Sequence, residues 1–494
     1  MTIDASPAAV VKMPGRGLSV PEVRTPASYV VPAAALVAVL ARLPFLARPA
    51  GRDEAGYLLV GQQWHSGGSS LYGSYWVDRP PLLITVFQLA GDLGGLVPLR
   101  LIGCLAAALL VLASAQVARS IAGARAARWT AVTAAALSFS PLLGALSVNG
   151  ELLAAPFVAG GLAGVVAAIH RPDQRGAAVA AALAGAAGAA ALLVKQNMAD
   201  VAVFAATALL LAWRRGEIGT PRLLRLVAAS AAGAVVCLAV TAVWTMLHGT
   251  SLTGVFDAMY PFRIEAARVM AATHRPQAEV RAWLLLLSWV ASGGAAVMLV
   301  VAWALVSRRL RGTVTWALVA TLCFDIVSVA LGGSFWIHYL VELVVPVSVV
   351  AGLLVARHQP FARAALAVCV VTASIAWGLV VARPDSTVGS SVGGAVGRVA
   401  GHRDTIVTVW GHADVTRASG LSSPYPYLWS LPAHTLDPRV QGDQLKNRLL
   451  LKDGMEKQGL VNYENEWWHY TFKPEAYPET YFDFPVDPSS LPAA

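Results

Sequence analysis

Long apolar runs dominate the chain, and short polar segments separate them. About eleven of these runs approach the length of about 20 residues that an α-helix needs to cross the hydrocarbon core of a bilayer. The runs lie at about 28–47, 97–118, 127–146, 151–169, 177–194, 199–213, 224–247, 282–306, 313–331, 339–356 and 364–382. Several are rich in Ala and Gly, which permits close helix packing in lipid. The pattern therefore predicts an all-α polytopic membrane protein with about eleven transmembrane helices.

Basic residues between the runs predict the orientation of the chain. Every second loop is rich in arginine. These loops hold Arg119, Arg125 and Arg128; Arg171 and Arg175; Arg214, Arg215, Arg222 and Arg225; Arg308, Arg309 and Arg311; and Arg357 and Arg363. The positive-inside rule places them, together with the N-terminus, in the cytoplasm. An odd number of spans then places the C-terminus outside, so we expect a multi-pass plasma membrane protein.

The polar segments divide the chain into regions. In chain order they are a cytoplasmic tail (1–27), a transmembrane domain (28–382) with outer loops at 48–96 and 248–281, an external segment (383–440) and a C-terminal fragment (441–494). The N-terminal tail is polar and Pro-rich, which is typical of disorder. Residues 383–494 are polar and aromatic, with a strand-like run at 405–410, so we expect a small external α+β segment after the membrane helices.

Composition and charge narrow the function classes. The chain is 56% hydrophobic and only 13% charged, whereas soluble domains carry about 25% charged residues. The net charge of +9 is explained by the arginine-rich cytoplasmic loops, so we do not expect a nucleic-acid partner. The cysteines, Cys104, Cys237, Cys323 and Cys369, all lie in apolar runs, which indicates packing rather than disulfides or metal ligation.

Two adjacent carboxylates, Asp53 and Glu54, follow the first apolar run. Such a pair is costly to hold in low dielectric at the end of a membrane helix, which is typical of a functional site. One carboxylate can accept a proton while the other binds or orients a metal ion. A helix cap at Asp53 is the alternative interpretation, and the pair alone does not separate the two.

Further charged and polar residues fall on the same predicted side of the membrane. They are Asp78, Arg79, Glu151, Lys195, Arg263, His338 and Tyr339. External cations that face external carboxylates indicate a site for an anionic lipid head group, most simply a phosphate. For each cation alone, snorkelling to the membrane interface is the alternative, and it is favoured for Arg268 and Arg281.

The ordered motifs DEAGY, DRPPLL, NGELLAAPF, LLVKQN and IHYLVELVVP carry a family resemblance. Over about residues 28–440 the chain resembles GT-C-type glycosyltransferases, and more narrowly bacterial relatives of the dolichyl-phosphate-mannose protein mannosyltransferases and the lipid A aminoarabinose transferases. The resemblance implies inverting transfer of a sugar at the outer membrane face. The donor would be a polyprenyl-phosphate sugar, and the acceptor a hydroxyl of an envelope glycan, lipid or protein.

The same resemblance implies roles for individual residues. Asp53 corresponds to the catalytic carboxylate and Glu54 to its partner. Arg79, Lys195 and His338 correspond to the donor-phosphate side, with Asp78 and Glu151 in support. The charge argument adds Arg263 to the donor-phosphate side and Tyr339, next to His338, to the supporting residues. The family usually has Lys before Pro-Pro where this chain has Arg79, a change of geometry that leaves the donor's identity open. No cofactor is implied with certainty, and a divalent metal ion remains open.

The C-terminal stretch at about 443–486 resembles a different family, the zinc D-alanyl-D-alanine dipeptidases of the vancomycin-resistance kind. In that family the Glu of the motif EWWH is the general base and its His is a zinc ligand; they correspond to Glu466 and His469. The preceding motif SxHxxGxAxD, which supplies the other ligands, is absent from this sequence. A catalytic zinc site needs three protein ligands, so His469 alone is an incomplete metal site. Zinc is therefore expected only if this tail is functional.

Two other functions remain open from the sequence. A transporter for a lipid-linked substrate would carry charges in mid-span and two symmetric halves. Here the charges cluster at the outer ends of the runs, with Arg42 and Asp325 as exceptions, and no repeat is visible. A membrane-anchored zinc D-Ala-D-Ala dipeptidase has support from the tail alone.

Overall fold

Helices make up most of the described chain. The computed structural model describes residues 29–64, 67–68, 70–272, 276–401, 403–408, 411–429, 442–463 and 466–472. The helices are α1 (Val30–Leu40), α2 (Arg52–Gln62), α3 (Pro81–Asp92), α4 (Leu96–Phe139), α5 (Gly150–His170), α6 (Gln174–Val194), α7 (Asp200–Arg214), α8 (Thr220–Leu247), α9 (Leu252–Met259), α10 (Pro261–Ala272), α11 (Pro276–Ala291), α12 (Gly294–Val306), α13 (Thr313–Leu331), α14 (Val344–Ala356), α15 (Ala362–Ala382), α16 (Val388–Val399), α17 (Ala413–Ser419) and α18 (Gly442–Lys457). Short 3-10 turns lie at Leu43–Phe45, Pro141–Leu143 and Ile337–Leu343.

The predicted polytopic all-α fold is confirmed, whereas the predicted number of spans is not. Within the described residues, seven helices are long and apolar enough to cross a membrane, or up to eight if α11 and α12 form one bent span. Helices α1 and α7 match predicted runs but have only 11 and 15 residues. The α11–α12 pair matches the run at 282–306 and bends by 71°.

Helix α4 contains two of the predicted spans. A straight helix of its 44 residues would be about 66 Å long, roughly twice the hydrocarbon thickness. The backbone leaves the helical conformation at Ala122 and Gly123, and Gly123 has φ 75°, a conformation that favours glycine. The break therefore separates the runs predicted at 97–118 and 127–146, next to the arginine-rich loop.

The chain between α4 and α5 is irregular, and Arg42 stabilises it. The buried guanidinium of Arg42 donates to the carbonyl oxygens of Ser138 at 2.8 Å, Leu146 at 3.2 Å and Ala145. Irregular backbone at membrane depth needs such internal partners. This explains why a charged residue lies inside the first apolar run.

Small residues bring the helices together. Helix α4 packs against α1, α5 and α14, and α6 packs between α5 and α8. A Cβ atom on Gly233 of α8 would overlap the backbone of Ala182 of α6. Glycine at this position therefore permits the close helix contact that the Ala- and Gly-rich runs predict.

The described end of the chain mixes helix and strand, as predicted. After α18, strands β1 (Leu460–Tyr463) and β2 (Glu466–Phe472) pair antiparallel, with Leu460 opposite Phe472. The strand-like run predicted at 405–410 forms only an isolated parallel bridge between Thr405 and Ser422 within the described residues, and residues 409–410 lie outside them.

Candidate active site

Helix α2 presents the carboxylate pair in its first turn, where the helix dipole favours negative charge. The N-cap residue is Gly51 rather than Asp53, so the cap interpretation of Asp53 is wrong. Glu54 is the residue that contributes to capping: its carboxylate accepts the backbone N–H of Gly51 at 3.2 Å. The two neighbouring acids therefore have different surroundings.

Glu54 is buried and engaged at both carboxylate oxygens. Its Oε2 atom lies 2.8 Å from Arg100 Nη2, and its Oε1 atom accepts the backbone N–H of Val148 at 3.1 Å. Arg100 also donates to the carbonyl oxygens of Phe45 and Arg48, each at 2.6 Å. Glu54 and Arg100 thus tie α2 to α4 and to the irregular segments on either side. Sequence reasoning missed Arg100, which lies inside an apolar run.

Asp53 is half-buried and has a polar partner 376 positions later in the chain. Its Oδ1 atom accepts the indole N–H of Trp429 at 3.0 Å. One helical turn later, the Tyr57 hydroxyl accepts a hydrogen bond from Nε–H of Arg79 at 3.0 Å. Burial raises the pKa of the Tyr57 hydroxyl, so this group stays neutral. Tyr57 therefore lies between the carboxylate of Asp53 and the guanidinium of Arg79.

Two arginines converge on the buried carboxylate of Asp78. Its Oδ1 lies 2.7 Å from Arg79 Nη1, and its Oδ2 lies 3.0 Å from Arg263 Nε. Burial alone would lower the pKa of Arg79, but Asp78 raises it well above its ordinary value, so the guanidinium stays charged. The side chains of Arg79 and Arg263 remain 24% and 39% exposed. The cluster carries one net positive charge at an accessible surface.

A second polar cluster surrounds Lys195, at the end of α6. Its ammonium pairs with Glu151, lies 3.3 Å from Glu342 Oε1, and sits 4.4 Å from the centre of the Tyr339 ring. Burial alone would lower the pKa of Lys195, but the two glutamates raise it above its ordinary value. His338 Nε2 lies 3.6 Å from Glu151. The lysine is therefore already neutralised by protein carboxylates.

Sequence reasoning gave no role to three further residues of this cluster, Gln196, Asn197 and Glu342, although they lie in the motifs LLVKQN and IHYLVELVVP. Asn197 donates to Ser328 at 2.7 Å and to Glu342 at 2.8 Å. Glu342 is buried inside a predicted span, and an acid in an apolar run was the signal that could have identified it. Gln196 connects the clusters, because its amide oxygen, in the orientation that satisfies its neighbours, accepts Nε–H of Arg263 at 3.0 Å and Nη2–H at 3.2 Å. All predicted donor-side residues thus lie in two adjoining clusters.

Some predicted residues lie elsewhere or outside the described part. Arg281 donates to the carbonyl oxygen of Ser334 at 2.7 Å and stacks on Trp336. Glu466 and His469 belong to β2, but their side chains lie outside the described residues. Among the described residues, no three His, Cys, Asp or Glu side chains form a group that could hold a metal ion.

The polytopic helix bundle is similar in fold to solved membrane-protein structures. The structure of ArnT from Cupriavidus metallidurans bound to undecaprenyl phosphate is similar, with a TM-score of 0.57 and 16% sequence identity, over 81% of this chain and 85% of that chain. The apo structure of the same protein gives a TM-score of 0.56 and 16% identity, over 86% and 90% of the two chains. The implied fold is therefore confirmed.

The C-terminal part matches a second family. The family model for D-ala-D-ala dipeptidase (Peptidase_M15) matches residues 430–487, beginning earlier than the predicted 443. D-alanyl-D-alanine dipeptidases of Enterococcus faecium and Streptomyces coelicolor are 48% and 52% identical over 47 and 40 residues, or 10% and 8% of this chain. The chain spans only 23% and 20% of the lengths of those relatives. The predicted resemblance of the tail is confirmed for this short segment.

Proposed function

We propose that this chain is an integral-membrane glycosyltransferase that moves a sugar from a polyprenyl-phosphate donor to an acceptor hydroxyl. The observation that carries the proposal is the pair of accessible arginines, Arg79 and Arg263, that meet at Asp78, with Arg79 near enough to the half-buried Asp53 to interact with its charge. The related fold of ArnT, a protein whose structure holds undecaprenyl phosphate, supports this class of donor. The acceptor would be an envelope glycan, lipid or protein.

Arg79 and Arg263 would bind the donor phosphate. The phosphodiester of the donor carries one negative charge, and it gains a second as the bond between the anomeric carbon and the phosphate oxygen breaks. Two arginines and Asp78 sum to one positive charge, which favours both the bound donor and the leaving group. Guanidinium groups are also suited to phosphate because they donate parallel hydrogen bonds.

Asp53 would act as the general base. It would take the proton of the acceptor hydroxyl while the hydroxyl oxygen bonds to the anomeric carbon. Attack from the face opposite the phosphate inverts the configuration of that carbon. Glu54 has a different role in this proposal: because Arg100 and two backbone N–H groups hold it, it positions α2 and its carboxylate takes no proton.

Lys195 and His338 would support the site rather than bind the phosphate. Lys195 already faces Glu151 and Glu342, whose two negative charges exceed its own positive charge. The Lys195 ammonium also contacts the ring of Tyr339. Tyr339 lies near enough to Arg79 to contribute to raising the pKa of Arg79. We assign the Lys195 cluster to holding α5, α6 and the Ile337–Leu343 turn beside the arginines.

The site would face the outside of the plasma membrane. The arginine-rich loops support a cytoplasmic N-terminus and an external C-terminus. This topology gives the site access to lipid-linked donors in the outer leaflet and to envelope acceptors.

A reconstituted transfer assay tests the proposed function. The full chain is placed in vesicles with native envelope lipid and a panel of synthetic undecaprenyl-phosphate pentoses and hexoses. Released undecaprenyl phosphate and the anomeric configuration of the product are measured. Release above that of protein-free vesicles, with an inverted product, is expected for at least one donor. No release from any donor, or a retained configuration, would contradict the proposal.

A further inference from the structure

The segment at 411–429 lies against the loop that carries the proposed site. The backbone carbonyl oxygen of Pro426, in this segment, accepts the backbone N–H of Trp76 at 2.8 Å. The backbone N–H of Ser423 donates to the Tyr75 hydroxyl at 3.0 Å. Helix α17 within the segment packs against α2. The segment is therefore anchored at several points before it reaches Trp429.

Helix α2 forms a contact surface that is complementary to the indole of Trp429. The indole N–H bonds to Asp53 Oδ1, and the ring lies 5.0 Å from the ring of Tyr57, centre to centre. Between these residues stands Gly56, where an added Cβ atom would overlap the indole ring. A polar contact, an aromatic contact and a glycine thus coincide on one face of the helix.

We infer that Trp429 is a positioning residue that fixes the rotamer of the Asp53 carboxylate for proton transfer; this inference rests on the proposed function. The N–H of Trp429 holds Oδ1, and among the described residues Oδ2 accepts no hydrogen bond. Oδ2 is therefore the atom that faces the acceptor hydroxyl. A base placed within hydrogen-bond reach, in one orientation, is what general-base catalysis requires.

The chemistry of the partner matters as much as its place. An indole N–H is a neutral donor, so it orients the carboxylate without cancelling its charge. Glu54, in contrast, pairs with the cation of Arg100 and has both oxygens engaged. The two adjacent acids are thus separated into a structural carboxylate and a reactive one by the charge of their partners.

Trp429 and the α2 residues that contact it all precede the part of the chain that matches the dipeptidase model. That match begins at residue 430, immediately after Trp429. Every contact described for Trp429 therefore involves residues that precede this match.

Two substitutions separate this role from simple packing. Trp429→Phe keeps a ring against Tyr57 but removes the N–H. Gly56→Ala keeps the indole but places a methyl group where the indole ring packs on α2. In the full chain, each should lower kcat by about tenfold or more, because one hydrogen bond to a charged group is lost. The donor KM, and the binding of undecaprenyl phosphate itself, should change by less than about twofold, because neither substitution touches the arginines.

Arg417→Ala provides the matched control. Arg417 lies in the same segment and binds Gln62 of α2 at 3.1 Å, but it does not contact Asp53. Its kcat should remain within about twofold of wild type, since one exposed contact contributes little. If kcat falls in Arg417→Ala as much as in Trp429→Phe, the effect comes from general anchoring of the segment and not from the indole N–H. That result would overturn the inference.

A spectroscopic measurement tests the contact without activity. In protein labelled with ¹⁵N-indole tryptophan, the resonance that disappears in Trp429→Phe should shift in Asp53→Asn. Wild-type kcat in Trp429→Phe, or an unmoved resonance in Asp53→Asn, would overturn the inference while leaving the proposed function intact. A wild-type chain that transfers no sugar from any donor in the panel would overturn the proposed function, and the positioning role with it.

Discussion

Replacing Arg79 with alanine tests the phosphate site at its best-defined point. The guanidinium of Arg79 bonds to Asp78 at 2.7 Å and to the Tyr57 hydroxyl at 3.0 Å, and 24% of the side chain remains exposed. Its removal leaves Asp78 paired with Arg263 alone, so the local net charge falls from plus one to zero. The anionic donor then loses both a direct contact and the favourable charge.

The size of the effect follows from the contact that is lost. A charge-assisted hydrogen bond contributes about 1.5–3 kcal/mol, which corresponds to a donor KM about ten- to 150-fold higher. The acceptor KM should change by less than about twofold, because Asp53 and its contact with Trp429 stay in place. Arg79→Lys should give an intermediate result, since an ammonium keeps the charge but cannot donate in the same planar fork.

The assay compares donor and acceptor KM values in proteoliposomes, together with direct binding of undecaprenyl phosphate. Arg281→Ala is the control, because Arg281 is a nearby arginine that binds the carbonyl of Ser334 and stacks on Trp336. It should leave the donor KM unchanged. An unchanged donor KM in Arg79→Ala, with a changed acceptor KM, would refute the assignment of Arg79 to the phosphate.

Three further outcomes are expected. Glu54→Gln leaves the buried Arg100 without its carboxylate and should lower stability by about 3–5 kcal/mol, seen as a lower unfolding temperature in detergent, whereas Glu279→Gln at an exposed position should not. A reporter active only in the cytoplasm, fused after residue 494, should be silent; an active reporter would disprove the proposed topology. The full chain with added zinc should not hydrolyse D-alanyl-D-alanine, because the chain lacks the SxHxxGxAxD motif that supplies the other zinc ligands of that family, and turnover with stoichiometric bound zinc would make it a bifunctional enzyme.

The membrane helices could be predicted because lipid burial acts on each segment separately. A span must be apolar along its whole length, so local composition reveals it. The number of spans was harder, because α4 continues through the break at Gly123 and α7 is only 15 residues long. Helix breaks depend on how neighbouring helices pack, which composition does not record.

The site could be predicted only in part, because its key contacts join distant positions. Asp53 stands out because it follows the first apolar run, and Arg79 and Arg263 stand out as charges in the polar outer loops. The contact between Trp429 and Asp53 spans 376 positions, and no local pattern marks it. Apart from the family resemblance, nothing in the sequence separated the roles of the adjacent acids, since the difference arises from Arg100, 46 positions beyond Glu54. Adjacent acids look alike in sequence and differ through their tertiary partners.

The central claim is that Asp53 is the base of a sugar-transfer reaction. Sugar transfer by the Asp53→Asn variant, in vesicles with the undecaprenyl-phosphate donor that wild type uses, tests it most directly. The amide can still accept the Trp429 N–H, so the unfolding temperature and the binding of undecaprenyl phosphate should match wild type. Transfer should fall by about a hundredfold or more, since the amide cannot take the proton. Transfer near the wild-type rate by this folded variant would contradict the account.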